Sequence, residues 1–174
     1  LKAYRRNGLI NILISISWNI PYNEIRIFTE AGRPCRPLLI LKNNKKGDYP
    51  YNELLVYKHN SDKSLSDEVV HDIALSFGKY FELESDLRGY DELVGWCHSI
   101  AHSADLFTQL FKSEVLSSDS IAVMLELIRD KFIRKDYQFV SDEDERMVNA
   151  LEVVILNEKV SNDILVKWIE SFSI

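Results

Sequence analysis

Two histidines and an aspartate have the residue types and spacing that could hold a metal ion. His98, His102 and Asp105 stand at positions i, i+4 and i+7. On a helix with about 100° per residue, these side chains fall within about 60° of one another. Two imidazoles and one carboxylate suit a divalent metal such as zinc and leave one coordination position open for water. The spacing therefore predicts a metal site on one helix face.

The same three residues also have a purely structural interpretation. The zinc-hydrolase pattern H-E-x-x-H is not met, because Ser99 follows His98 and the usual general base is missing. In this interpretation the imidazoles and the carboxylate hydrogen-bond to neighbouring helices or loops, for example to Asp86. Both interpretations stay open on the sequence, and so does the question of whether the chain is an enzyme.

Asp86, Arg88 and Trp96 are the candidate ligand-binding residues just upstream. Arg88 could bind an anionic group through two parallel hydrogen bonds, or it could pair with Asp86 and fix the loop. Trp96 could contact a ligand, although tryptophan also packs between helices. The site we predict therefore joins a loop to the metal-binding face.

The elements that must position these residues are helices. Apolar residues recur at three- and four-residue spacing in five stretches, which indicates amphipathic helices. Ser64 or Ser66 is the predicted N-cap of the first, the third begins near Ser118, and the fourth starts at Ser141. The five stripes span residues 69–81, 93–111, 121–132, 147–154 and 164–172. The fold class is therefore mainly α, as an antiparallel bundle or an α-solenoid-like domain.

The N-terminal part follows a different pattern. Residues 10–18 alternate between apolar and polar types, as a half-buried strand does, and two further short strands follow before residue 41. We predict a small β-hairpin or meander over residues 1–41, a polar linker over residues 42–52 and a helical domain over residues 53–174. A three-stranded meander needs a packing partner to be stable.

Charge separates the same two parts. The net charge is −6, yet residues 1–48 carry nine basic against three acidic side chains. The acidic remainder disfavours binding to nucleic acid or to a membrane surface by residues 53–174. Only two cysteines are present and the longest apolar stretch is interrupted by polar residues. We therefore expect a cytoplasmic protein without a membrane span.

Residues 84–105 carry a long motif. It reads ESDLRGY at residues 84–90 and GWCHSIAHSAD at residues 95–105, and an acidic run DEDER follows at residues 142–146. This pattern resembles the signature of the domain-of-unknown-function family numbered 2785, with Cys97 where the family often has Ala. The resemblance covers about residues 52–174 and implies a helical fold without an established activity.

Residues 1–41 resemble a second, unrelated family. The run NEIRIFTEAGRPCRPL at residues 23–38 is similar to the second-largest (beta) subunit of DNA-directed RNA polymerase, of the eukaryotic and viral type. Glu30 replaces the usual Asp of that pattern. The nucleotide-handling and metal-proximal parts of that subunit have no counterpart here, so the resemblance implies no polymerase activity.

Three functions are compatible with these features. The first is binding of a divalent metal or a small anionic ligand through the face of His98, His102 and Asp105, with Arg88 orienting an anion. The second is a non-catalytic module that presents its helices to a protein partner. The third is a transcription-related fragment, which depends on residues 1–41 alone. A large exposed apolar patch would favour the second, and a polar pocket over His98 and His102 the first.

Overall fold

Residues 50–93 and 95–173 are described by the structure, a computed structural model, and they form six helices and one short hairpin. The predicted β-rich segment 1–41 and most of the predicted linker lie outside the described residues. The elements are α1 (Pro50–Asp62), α2 (Asp67–Leu83), β1 (Tyr90–Asp91), β2 (Gly95–Trp96), α3 (Ser99–Lys112), α4 (Ser118–Phe132), α5 (Glu143–Leu156) and α6 (Asn162–Glu170). The fold is mainly α, as predicted.

Serine N-caps begin three of the helices. Ser66, Ser117 and Ser161 precede α2, α4 and α6, and each hydroxyl accepts a hydrogen bond from the backbone N–H three residues later. A side chain that satisfies one of the unpaired N–H groups of a first turn typically contributes about 1 kcal/mol. The predicted cap at Ser66 and the predicted start near Ser118 are confirmed.

The helices lie in two layers. The closest approaches between helices join α1 to α3 and α3 to α5 in one layer, and α2 to α4 and α4 to α6 in the other. Each helix therefore packs beside the one that lies two positions away in sequence. Such alternation is the arrangement of α-solenoids, which stack helix pairs. Of the two architectures that the sequence left open, the layered one describes these residues better.

Aromatic rings join the two layers in the core. Phe77 and Phe81 of α2 meet Phe107 of α3 edge to face, with ring centroids 4.6 and 4.9 Å apart. Phe107 also stacks on Phe111, and all four side chains are fully buried. Edge-to-face pairs add roughly 0.5–1.5 kcal/mol each beyond the burial of their area. This cluster fixes α3, which carries most of the predicted site residues.

Two long side chains connect α4 to its neighbours. Trp168 of α6 is buried, and its indole Nε1–H donates to the carbonyl oxygen of Leu125, 2.7 Å away. Lys131 is also buried, and its ammonium donates to the carbonyl oxygens of Glu82 and Glu84 at 3.3 and 2.8 Å. Lys131 thereby satisfies carbonyl groups at the end of α2 that have no partner within the helix.

Two helix boundaries differ from the prediction. The second predicted helix included residues 93–97, but α3 begins only at Ser99, because Tyr90–Asp91 and Gly95–Trp96 pair as antiparallel strands. Leu93, placed in that apolar stripe, is 81% exposed. The fourth predicted helix was expected from Ser141, whereas α5 begins at Glu143 after Asp142 adopts a left-handed conformation.

The first helix and the last apolar stripe also differ from expectation. Helix α1 was not predicted, and it includes residues 50–52 of the predicted linker. In the last stripe Trp168 is buried, but Ile169 is 59% exposed. Among the described residues, no helix is long and apolar enough to cross a membrane.

Candidate functional site

The loop after α2 is organised by the carboxylate of Glu84. Glu84 caps the helix and is buried. Its side chain accepts one hydrogen bond from the Tyr80 hydroxyl at 2.5 Å and another from the Asp86 backbone N–H at 2.7 Å. Burial, together with the hydrogen bond to Glu84, raises the pKa of Tyr80 above its usual value. The loop therefore leaves the helix in one fixed direction.

Arg88 is held by two carboxylates. Its Nε and Nη2 atoms donate to the two oxygens of Asp86, each at 2.8 Å, and its Nη1 donates to Asp91 at 2.6 Å. The hydrogen bond to Asp86 is the main cause that raises the pKa of Arg88 further. Arg88 and Asp86, both predicted to bind ligand, are thus engaged with each other. This is the pairing that the sequence offered as the structural alternative.

The hairpin presents an aromatic pair on the surface. Tyr90 of β1 lies opposite Trp96 of β2, and their rings meet edge to face with centroids 5.1 Å apart. Tyr90 is 55% exposed and Trp96 is 53% exposed, while Leu93 lies in the turn between the strands. Cys97 N–H donates to the Gly89 carbonyl at 2.9 Å and closes the base of the hairpin. Trp96 therefore does not pack between helices.

His98 lies at the N-terminal end of α3 rather than on one face of the helix. It is the N-cap residue and has a left-handed backbone with φ 50°. Its ring contacts Trp96 with centroids 4.4 Å apart, and it lies 5.9 Å from the ring of His102. The angular argument that placed three side chains on one helical face therefore holds only for His102 and Asp105.

Asp105 connects α3 to α5. Its Oδ2 accepts a hydrogen bond from Arg146 Nη1 at 2.8 Å and lies 3.9 Å from His102 Nδ1. The Arg146 side chain is 19% exposed and the Asp105 side chain 32%. A half-buried, hydrogen-bonded pair of this kind is stronger than an ordinary surface ion pair.

A third ionisable side chain, Glu53 of α1, lies within electrostatic reach of this pair. Glu53 is partly buried, and burial raises its pKa from 4.5 to about 7, with Asp105 adding to the rise and Arg146 opposing it. Burial disfavours the charged carboxylate, and a second carboxylate nearby has the same effect. Glu53 therefore changes its charge near neutral pH.

These contacts form one continuous row of side chains, which we call the contact row. It runs from the hairpin across α3 to α5, and each member touches the next. The contact row consists of Tyr90, Trp96, His98, His102, Asp105 and Arg146. Four of the six predicted site residues belong to it, while Asp86 and Arg88 fix the adjoining loop.

The contact row does not form an evident metal centre. Within residues 50–93 and 95–173, no group of three or more histidine, cysteine, aspartate and glutamate side chains is placed to hold a metal ion. Asp105 is engaged by Arg146 and His98 is turned toward Trp96. The metal site stays a prediction without support from these side-chain positions.

Two residues of this region escaped the sequence prediction. Arg146 belongs to the acidic run at residues 142–146. That run matched a family motif, but the sequence did not indicate which residue Arg146 contacts. Glu53 lies on α1, whose apolar residues form no clear stripe, so the sequence did not indicate a helix there. Arg146 bonds to Asp105, and Glu53 comes within electrostatic reach of it, only through the packing of three helices, which local spacing cannot reveal.

Comparison with protein families divides the chain in two. Residues 51–174 match the model of a family described as "Protein of unknown function (DUF2785)", and residues 1–42 match that of "RNA polymerase Rpb2, domain 4". The first match contains the whole contact row. Both resemblances seen in the sequence are therefore confirmed.

Curated relatives match part of the chain. The RNA polymerase II subunit RPB2 of Schizosaccharomyces pombe is 37% identical over 73 residues, which cover 42% of this chain and 6% of that subunit. RPB2 of Encephalitozoon cuniculi is 49% identical over 45 residues, covering 26% and 4%. The chain thus spans 4–6% of the length of these two relatives. No solved structure matches the chain.

Proposed function

We propose a binding function for this chain, which belongs to the DUF2785 family over residues 51–174. Its helical domain is a protein-interaction module that binds a basic segment of a partner. The binding surface is the hairpin surface, defined as Tyr90, Leu93 and Trp96. Among the three functions that the sequence allows, the described side chains support this one best.

The exposed aromatic pair on a braced hairpin carries the proposal. Tyr90 and Trp96 are each more than half exposed, yet their rings are packed against each other. The hydrogen bonds of Arg88 to Asp86 and Asp91 tie the loop to strand β1 of the hairpin. Tryptophan, tyrosine and arginine dominate binding hot spots, and a pre-ordered surface loses little entropy on association.

Charge indicates what kind of partner fits. The chain has 21 basic and 27 acidic side chains, of which nine and three lie in residues 1–48. Residues 49–174 therefore hold 12 basic against 24 acidic side chains. An acidic surface attracts a basic segment, and the face of a tryptophan ring binds Lys or Arg cations. Because the guanidinium of Arg88 is already paired with carboxylates, it offers less to an anionic ligand, and we favour a basic partner.

Peptide binding by the full chain tests the proposal. The probes are a labelled peptide of alternating Arg and Gly and its Glu–Gly counterpart, measured by fluorescence anisotropy. We expect the Arg–Gly peptide to bind and Trp96→Ala to weaken it about tenfold, as for a hot-spot residue. The control is Val123→Ala, which truncates an exposed apolar side chain on α4. Equal affinity of wild type and Trp96→Ala would refute the proposal.

The match of residues 1–42 to Rpb2 domain 4 favours a second candidate function. In this alternative the chain associates with subunits of an RNA polymerase and performs no catalysis itself. Co-purification of the full chain with polymerase subunits in stoichiometric amounts would support it. A chain that elutes alone beside intact polymerase would count against it.

A metal role for His98, His102 and Asp105 remains a separate proposal. Elemental analysis of the metal-repleted protein, beside a His98→Ala/His102→Ala variant, tests it directly. A near-stoichiometric divalent metal that the variant loses would support a site, and absence of metal from both would exclude it. A cytoplasmic setting, expected from the sequence, is likewise a proposal.

A further inference from the structure

We propose that the hairpin surface binds a basic segment of its own chain, which we define as residues 26–46. This inference rests on the proposed function, because it names an occupant of the same surface. A partner must then displace that segment before it binds. The proposal is carried by the charge of the two parts of the chain, by the acidic side chains beside the hairpin, and by the end of the domain at which α1 begins.

The two parts of the chain carry opposite charges. Residues 1–48 hold nine basic against three acidic side chains, whereas residues 49–174 hold 12 against 24. The basic segment alone has six basic side chains and one acidic side chain, Glu30. Opposite charges attract, and a tether between the two parts raises the effective concentration of one around the other. The basic segment therefore has the charge that the proposed function requires of a ligand.

Exposed acidic side chains lie close to the hairpin surface. Glu92 is exposed in the turn between the two strands. Three more exposed acids stand at the start of α5, namely Asp142, Asp144 and Glu145. Ser141, which precedes them, packs against Gly89 at the base of the hairpin. The hairpin surface therefore combines aromatic rings with carboxylates, and both bind the guanidinium of arginine.

Helices α1 and α3 run side by side in the same direction. At their C-terminal ends, the side-chain amide of Asn60 donates to the carbonyl oxygen of Gln109 at 2.9 Å. Just beyond those ends, Lys63 pairs with Glu114 at 2.8 Å. The two helices have 13 and 14 residues and lie in one layer, so their N-terminal ends also lie together. Helix α1 therefore begins at the end of the domain where the hairpin leads into α3.

The chain before α1 is long enough to reach the hairpin surface. Neighbouring helix axes are about 8–10 Å apart, and the hairpin directly precedes α3. Arg36 lies 14 residues before Pro50, and an extended chain of that length spans at most about 50 Å. The basic segment thus reaches the surface without any movement of α1. We assign Arg33 and Arg36 to the exposed aromatic rings, because guanidinium groups bind the faces of such rings.

A cysteine in the basic segment makes the proposal testable. Cys35 stands between Arg33 and Arg36, and the other cysteine of the chain is the half-buried Cys97. The test uses the full chain with Cys97→Ser, so that one introduced thiol is the only partner of Cys35. Glu92→Cys places this thiol in the hairpin turn and leaves the hairpin surface intact. The matched control is Glu82→Cys, which is also exposed and lies at the end of α2 that leads to the hairpin.

The rate of disulfide formation with glutathione disulfide is the measurement. We expect Glu92→Cys to form an intrachain disulfide with Cys35 about tenfold faster than Glu82→Cys, because docking brings the two thiols together. Equal rates in the two variants would overturn the proposal. A disulfide between two chains, seen as a dimer on a non-reducing gel, would overturn it in favour of a second copy as the occupant.

Affinity for the Arg–Gly peptide tests the role of charge. The full chain with Arg33→Glu/Arg36→Glu should bind the peptide roughly three- to tenfold more tightly than wild type, because the segment no longer competes. Arg5→Glu/Arg6→Glu makes the same change of charge outside the basic segment and should alter the affinity much less. An equal effect of the two double variants would contradict docking of the basic segment.

The outcomes separate this inference from the proposed function. If Trp96→Ala weakens peptide binding while Glu92→Cys and Glu82→Cys oxidise equally fast, the function stands and this inference is refuted. If Glu92→Cys oxidises faster but no variant binds the peptide, the surface holds its own segment and the proposed function is refuted. If the rates are equal and no variant binds the peptide, both are refuted.

Discussion

Gly89 lies so close to Glu143 that a side chain on Gly89 would overlap the Glu143 carboxylate. A Cβ atom at this position would also overlap the side chain of Ser141. The contact brings the loop of the D-L-R-G motif against the start of α5. Two separate stretches of the family motif, at residues 84–90 and 142–146, therefore meet in space. Only a glycine permits this approach, and the reason is the lack of room rather than a left-handed backbone.

Replacement of Gly89 by alanine should destabilise the domain. The added methyl group has to displace the side chains of Ser141 and of the buried Glu143, and overpacking of this kind costs about 1–3 kcal/mol. Chemical denaturation gives the free energy of unfolding. The matched control is Gly78→Ala within α2, where the nearest atom is Leu127 Cδ1 at 3.4 Å and alanine favours the helix. Equal stability of the two variants would contradict the steric explanation.

Loss of the Trp168 indole should loosen α6. Trp168→Phe keeps an aromatic ring but removes the N–H that donates to Leu125. We expect the free energy of unfolding to fall by about 1–2 kcal/mol. Amide exchange should accelerate first in α6, because this bond joins it to α4. Trp96→Phe, at an exposed position, serves as the control and should leave exchange unchanged.

The buried Lys131 should stabilise the end of α2 through its ammonium group. Lys131→Met keeps most of the apolar stem but leaves the carbonyl groups of Glu82 and Glu84 without this donor. We expect a loss of about 1–2 kcal/mol in unfolding experiments. The same substitution at Lys79, which is exposed on α2, should have little effect. A Lys131→Met variant as stable as Lys79→Met would show that the carbonyl groups find other partners.

Stability should depend on pH through Glu53. Its native pKa of about 7 exceeds the usual 4.5, so the native state binds this proton more tightly than the unfolded chain does. The stabilising contribution is complete below pH 4.5, declines as the pH rises and is lost above pH 7. We expect Glu53→Gln to be more stable than wild type at pH 8 by about 1–2 kcal/mol and to differ little at pH 4.5. A constant difference across this range would contradict the raised pKa.

Local signals in the sequence predicted the features that local physics determines. Ser66 caps α2 because its hydroxyl reaches an N–H only three residues away, and such caps can be recognised from spacing. The hairpin was missed because Leu93 and Cys97 continue the apolar spacing of α3, although Leu93 faces solvent. His98 was placed on the helix because spacing does not reveal a left-handed residue that ends the helical path.

Contacts between distant residues could not be predicted in the same way. Arg146 reaches Asp105 across 41 positions, and the charges of both act on Glu53, which belongs to a helix that the sequence did not reveal. These meetings depend on which helices stack, and the sequence left a bundle and a solenoid equally open. The predicted site residues lie on α3 and in the loop and hairpin before it, whereas the electrostatic partners of Asp105 on α1 and α5 required the structure.

The two-layer arrangement also bears on how the domain assembles. Close approaches join each helix to the one two places further along, so native contacts span moderate sequence distances. Among the described residues, α1 and α6 are not one of the closely approaching pairs. Folding can then begin at any neighbouring pair and spread stepwise in either direction. Damage near α6 should leave the stack around α1 and α3 largely intact. Amide exchange should consequently open the terminal helix α6 at a lower free energy than the core around α3, which opens only on global unfolding.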